Sequence, residues 1–92
     1  MSINRADLTS WLQRNGWVQD AKLHSFWTKS YDITDYQITI NTPRGKPNSV
    51  ILREKKGQYR IRVTECPLKA IVVTDDGDLS LDGHTLLREG SQ

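Results

Sequence analysis

Seven cations fall within nineteen residues: Arg44, Lys46, Arg53, Lys55, Lys56, Arg60 and Arg62 occupy positions 44–62 against a single acid, Glu54, for a net charge of +6. Arginine grips phosphate oxygens with a planar fork and stacks on bases, and cations at this density suit several contacts with a phosphate backbone. These seven residues are the candidate nucleic-acid-binding set. The rest of the chain does not share the excess. Positions 1–43 balance four cations against four acids, and positions 63–92 carry two cations against six acids. Such asymmetry points to an anionic partner for the middle segment, although a solvated hairpin whose cations balance the acidic tail has the same composition.

No other chemistry assembles from the residue types present. His24, His84, Cys66 and the acidic stretch Asp75-Asp76-Gly77-Asp78 match the spacing of no metal-binding loop. The acidic stretch lacks the alternating oxygen ligands and closing Glu of a calcium loop, and reads as a turn. Cys66 is the single cysteine, so it has no partner for an internal disulfide; placed before Pro67 it reads as a small packed side chain rather than a nucleophile. There is no nucleophile elbow and no glycine-rich phosphate loop. The expectation is a protein that is not an enzyme, with no metal, no cofactor and no small-molecule substrate.

The elements that position these residues follow from pattern. Asn4 as N-cap, Asp7 at N3 and the apolar pair Ile3 and Leu8 predict a helix starting at Arg5; Leu8, Trp11 and Leu12 give it one buried face, and Asn15-Gly16 ends it with Trp17 packing back on Leu12. Everything after Gly16 reads as strand and turn. Leu23–Thr28 is a predicted strand in which Phe26 and Trp27 point to opposite faces, so one of them lies outside the main core. Tyr36, Ile38 and Ile40 alternate with Gln37 and Thr39 as in a half-buried strand. The segment 42–48, with two prolines and a glycine, is a loop. A hairpin follows, its strands Val50–Arg53 and Tyr59–Val63 joined by a loop over 54–58. Val50, Leu52, Tyr59, Ile61 and Val63 are expected toward the core, with Arg53, Arg60 and Arg62 sharing the opposite face. Ala70–Val73 has no polar break and reads as a strand buried on both sides; Leu79 and Leu81 restart alternation, and His84–Leu87 is too short to assign.

Ninety-two residues make one domain, and 36% apolar with 26% charged residues describe a lean but folding chain. No stretch is long and apolar enough to span a bilayer, and Arg5 and Asp7 interrupt the N-terminus, so a soluble cytoplasmic protein without membrane contact is expected. The fold class is α+β: a single domain over 1–92 with one N-terminal helix packed on a twisted antiparallel sheet of about five strands.

Two RNA-binding folds do not fit. Lys56-Gly57 before Tyr59 has the look of an RRM signature, but Gln58 and Arg60 fill its aromatic positions and a second helix is missing. A helix and three strands begin a double-stranded-RNA-binding domain, yet the last third here is apolar strand and acidic turn instead of a basic helix. Taken whole, the opening run Ile3–Trp17, the aromatic strand at Phe26-Trp27 and the basic hairpin resemble the small phage-encoded anti-CRISPR proteins of the type I-F class. That resemblance implies a non-enzymatic inhibitor that docks in the bacterial cytoplasm on the crRNA-guided surveillance complex, its backbone protein subunits and guide RNA, and blocks target DNA. In that role the seven cations would meet RNA, Asp75, Asp76 and Asp78 would face protein lysines, and Phe26 or Trp27, whichever is outside the core, would anchor the protein interface. A second small core under residues 29–35 accounts for that aromatic equally well. A general RNA- or DNA-binding regulator and a protein-only interaction module are the alternatives.

Overall fold

In the computed structural model, which describes residues 3–89 and Ile61 by its backbone alone, the chain opens with helix α1, Arg5–Arg14. The Asn4 side chain accepts from the Asp7 N–H at 2.8 Å, and the Asp7 carboxylate accepts from the Asn4 N–H at 3.4 Å. This reciprocal box satisfies two donors that a helix start leaves free. At the other end Gly16 takes a left-handed φ of +82°, which lets the Trp17 N–H reach back to the Leu12 carbonyl at 3.0 Å. Leu8, Trp11 and Leu12 are buried, as their spacing predicts.

Five strands then form one antiparallel sheet in chain order: β1 (Val18–Gln19), β2 (Phe26–Tyr31), β3 (Thr34–Asn41), β4 (Ser49–Lys56) and β5 (Tyr59–Pro67). A 3₁₀ turn, Leu68–Ala70, leads to a second antiparallel sheet of three short strands, β6 (Val72–Val73), β7 (Leu79–Leu81) and β8 (His84–Leu86). The fold is α+β, one N-terminal helix on antiparallel sheet.

Two strand expectations are corrected. The first predicted strand starts three residues late, because Asp20 accepts from the N–H groups of both Lys22 and Leu23 and turns the chain there, leaving Leu23 exposed. The run Ala70–Val73 is not a strand buried on both sides. It is the passage between the two sheets, where Ile71 is buried at the end of the 3₁₀ turn and Val73 is 40% exposed.

Antiparallel register puts paired residues on one face. The inner face carries Trp27, Ile38, Leu52 and Thr64 as one transverse row and Ile40, Val50 and Cys66 as the next. Helix α1, the end of the 3₁₀ turn and the small sheet cover this face, contributing Leu8, Trp11, Leu12, Ile71, Leu79, Leu81 and Leu86 to one continuous core. The Trp11 indole N–H donates to the Gly77 carbonyl at 2.8 Å and so fastens the helix to the β6–β7 turn. Nothing among the described residues covers the outer face to a comparable depth. It presents Val18, Thr28, Gln37, Arg53 and Val63 in one row and Phe26, Thr39, Ile51 and Glu65 in another, with Val18 66% and Val63 48% exposed.

Candidate nucleic-acid interface

The hairpin that carries the cations is tighter than the sequence suggests. Its loop is the pair Gly57-Gln58, with Gly57 at φ +64°, and Lys56 pairs directly with Tyr59. One step further in, the register shifts between Glu54 and Lys55: Lys55 faces Arg60, but Glu54 faces Arg62, so the backbone of Ile61 forms the extra residue of a bulge. A one-residue slip exchanges faces. Arg62 is therefore carried to the inner face, against the expectation that it stands beside Arg53 and Arg60. Lys55 takes its place. Tyr59, 80% exposed, and Val63, on the outer face, are likewise not in the core, and the side chain of Ile61 lies outside the described residues.

The seven cations thus fall into three groups. Arg44 and Lys46 are exposed in the β3–β4 loop at one end of the sheet. Lys55, Lys56 and Arg60 surround the hairpin tip at the other end, roughly 25 Å away by the rise of an eight-residue strand. Arg53 lies between them on the outer face, held flat by a hydrogen bond from its guanidinium to the Thr39 hydroxyl at 3.2 Å. Among the described residues, none of Arg53, Lys55, Lys56 and Arg60 has a carboxylate within 4.0 Å. Asp35 is across from Lys55 in register but accepts from the Ser30 hydroxyl.

Arg62 belongs to a different arrangement. On the inner face, next to the apolar rows, a polar row runs across four strands in register: Lys29, Tyr36, Glu54, Arg62. The small sheet adds His84 above it. Glu54, buried in spite of its charge, lies 3.5 Å from the Arg62 Nε and 3.7 Å from the His84 Nε2. Arg62 also donates to the His84 Nδ1 at 3.0 Å, which leaves the ring proton on Nε2, toward Glu54. Lys29 donates to the Asn15 carbonyl at 2.7 Å and to Glu89 at 2.6 Å. Burial, aided by the Glu54 and Tyr31 charges, holds the Tyr36 hydroxyl above its usual range of ionisation. Each charge here has a partner: Lys29 and Glu54 are largely shielded, and Arg62, its side chain 56% exposed, reaches over Glu54 at the edge of the core.

Between this row and β8 opens a cleft of about 140 Å³, lined by Trp17, Lys29, Tyr31, Tyr36, His84 and the segment 85–87. Trp17 and Tyr36 meet edge to face with centroids 6.4 Å apart, and the Lys29 ammonium sits 5.8 Å from the centre of the Tyr31 ring. Trp17, Tyr36 and His84 are each noticeable in the sequence, but their meeting is not: the cleft residues come from the helix exit, two strands and the last hairpin, and only the register of the sheet collects them.

The remaining candidates separate cleanly. Trp27 is buried at 1% exposure and packs in the core, while Phe26, its neighbour, is half-buried on the outer face. Of the aromatic pair, Phe26 alone is placed to meet a partner. Asp75 and Asp76 are exposed in the β6–β7 turn, whereas Asp78 accepts from the Arg88 N–H at 2.9 Å and ties the turn to the segment after β8. Cys66 is buried beneath the small sheet, and that burial raises its thiol above the ordinary range, which leaves it an inert side chain at neutral pH. No cluster of three or more His, Cys, Asp or Glu suited to a metal ion occurs among the described residues, and no helix there is long and apolar enough to cross a membrane.

The fold and site define a class by geometry: a small α+β domain with a basic hairpin tip and one sheet face left largely uncovered among the described residues. Compared with known protein families, curated proteins and solved structures, the chain matches none.

Proposed function

We propose that this chain is a non-enzymatic binding protein whose hairpin tip holds a nucleic-acid backbone. The single observation that carries the reading is the contrast in pairing: Arg62 and Lys29 reach the carboxylates of Glu54 and Glu89, while Lys55, Lys56 and Arg60 gather at one tip with no carboxylate in contact among the described residues. Cations left without internal partners are the ones that release counterions on meeting phosphate. Arg53 extends the positive track along the outer face, where Phe26 and Ile51 supply apolar contact.

The particular target is the one the sequence resemblance implies, a guide-loaded type I-F surveillance complex, whose RNA lies among basic protein subunits. The separation of charge in this chain supports such a composite partner: the tip would address RNA, and Asp75 and Asp76, in a turn of the other sheet, would address protein lysines. Inhibition would follow from occupying the surface that target DNA needs. A general single-strand binder using the same tip is the second reading, favoured by the compactness of the cation cluster.

Co-migration on a sizing column with the purified complex, alongside free guide RNA, tests both. Binding to the complex alone supports the inhibitor, binding to both supports the general binder, and binding to neither removes the proposal. Lys55→Glu with Arg60→Glu should weaken either mode and leave the fold intact.

A further inference from the structure

The geometry points to the cleft between the inner polar row and β8 as a seat for one unpaired nucleobase of the bound strand. The inference rests on the nucleic-acid reading above and specifies what the hairpin tip alone does not: single-stranded rather than duplex substrate.

Three observations converge on that occupant. The first is size. About 140 Å³ is well under the roughly 300–1,000 Å³ of pockets that enclose drug-sized ligands, and suits a single planar ring system. The second is the lining. Trp17, Tyr31 and Tyr36 supply aromatic surface from the helix exit and two strands, and stacking on such surface is indifferent to base identity because every base has a π-face. Lys29 within the cleft disfavours a cationic occupant, and the Thr85 hydroxyl offers a polar group to a base edge. The third is position. Tyr31 lies in the terminal row of the sheet, Tyr31–Thr34–Lys56–Tyr59, so the mouth of the cleft and the cationic tip share one end of the molecule. Tyr31 and Lys56 are two strands apart, about 10 Å at the usual strand spacing. A base seated in the cleft thus brings its flanking phosphates toward Lys56 and Arg60. Bases stacked in a duplex are withheld from such a site.

The test measures binding of four probes by anisotropy or by amide shifts: a single-stranded oligonucleotide, the same sequence as a blunt duplex, an abasic backbone of equal length, and a nucleoside monophosphate. The expected order is single strand tightest, by about tenfold or more over the duplex and the abasic backbone. Tyr31→Ala, at a half-buried strand end where truncation spares the core, should remove that advantage, and Tyr31→Phe should keep it. Lys55→Glu with Arg60→Glu should weaken all three polymers alike. Equal affinity for single strand and abasic backbone, untouched by Tyr31→Ala, overturns the cleft and leaves the hairpin reading standing. If no polymer binds, the hairpin reading falls; shifts of Trp17, Tyr31 and Tyr36 on adding the monophosphate would then uphold the cleft by itself, and their absence would overturn it as well.

Discussion

The two faces of the five-stranded sheet are built from alternate residues of the same strands, yet their charges meet opposite fates. On the inner face Lys29, Glu54 and Arg62 join Glu89 and His84 in contacts at the end of the core. On the outer face and tip Arg53, Lys55, Lys56 and Arg60 stay without carboxylate partners among the described residues. The composition of the hairpin does not distinguish these residues. What decides whether a cation is structural or available is the parity of its position and the number of residues between it and the turn.

The largest expected difference between the faces is in packing. Leu52→Ala, on the inner face, should cost about 3 kcal/mol by emptying a fully buried site. Ile51→Ala, one residue away and half-exposed on the outer face, should cost about 1 kcal/mol or less. Urea midpoints of the two variants compare the faces directly, and equal losses would mean that the outer face is covered in solution. Next in size is the polar row. Glu54→Ala should cost about 1 kcal/mol, since water screens the pair with Arg62, whose side chain is 56% exposed, whereas Lys55→Ala should stay within about 0.5 kcal/mol.

The inner face also carries two groups whose ionisation is raised by burial. Burial raises the ionisation of Cys66 above 9.0 and of Tyr36 above 10.0 in the folded chain, so above those values the unfolded chain releases protons that the folded chain retains. Stability contributed by these groups is complete below their unfolded values and declines as pH rises through their folded ones. Cys66→Ala and Tyr36→Phe should flatten that decline in a pH series of melting temperatures. A parallel decline in both variants would assign it to other groups. The smallest effect on stability belongs to the tip: Lys55→Glu with Arg60→Glu should shift it by about 0.5 kcal/mol or less, but lower the salt dependence of single-strand binding by roughly 1.4 in log–log slope, about 0.7 for each phosphate no longer neutralised. An unchanged slope would place the phosphates elsewhere.

Much of this was legible along the chain, for local reasons. The capping box of α1, the Gly16 exit and the alternation of Tyr36, Ile38 and Ile40 depend on residues within a few positions of one another, and the structure places each as its local pattern predicts. The hairpin faces were legible only in β4, where Val50 and Leu52 turn inward and Arg53 outward. In β5 the parity was not, because the tight Gly57-Gln58 turn and the registered pairing of Glu54 with Arg62 together force a bulge that no alternation pattern displays. The cleft was invisible for the same reason, its residues being strangers in sequence and neighbours only across strands.

Local pattern alone thus sets the α+β class, the helix and its ends, the basic middle segment and the placing of Phe26 and Trp27 on opposite faces, because each depends on residues a few positions apart. Four outcomes had to wait for the packed sheet: that Trp27 rather than Phe26 is core, that Arg62 is inward and Lys55 outward, that Arg44 and Lys46 are a strand's length from the hairpin tip, and that the final third forms its own sheet over the first. Those outcomes depend on register, and register is settled by the burial of whole faces at once.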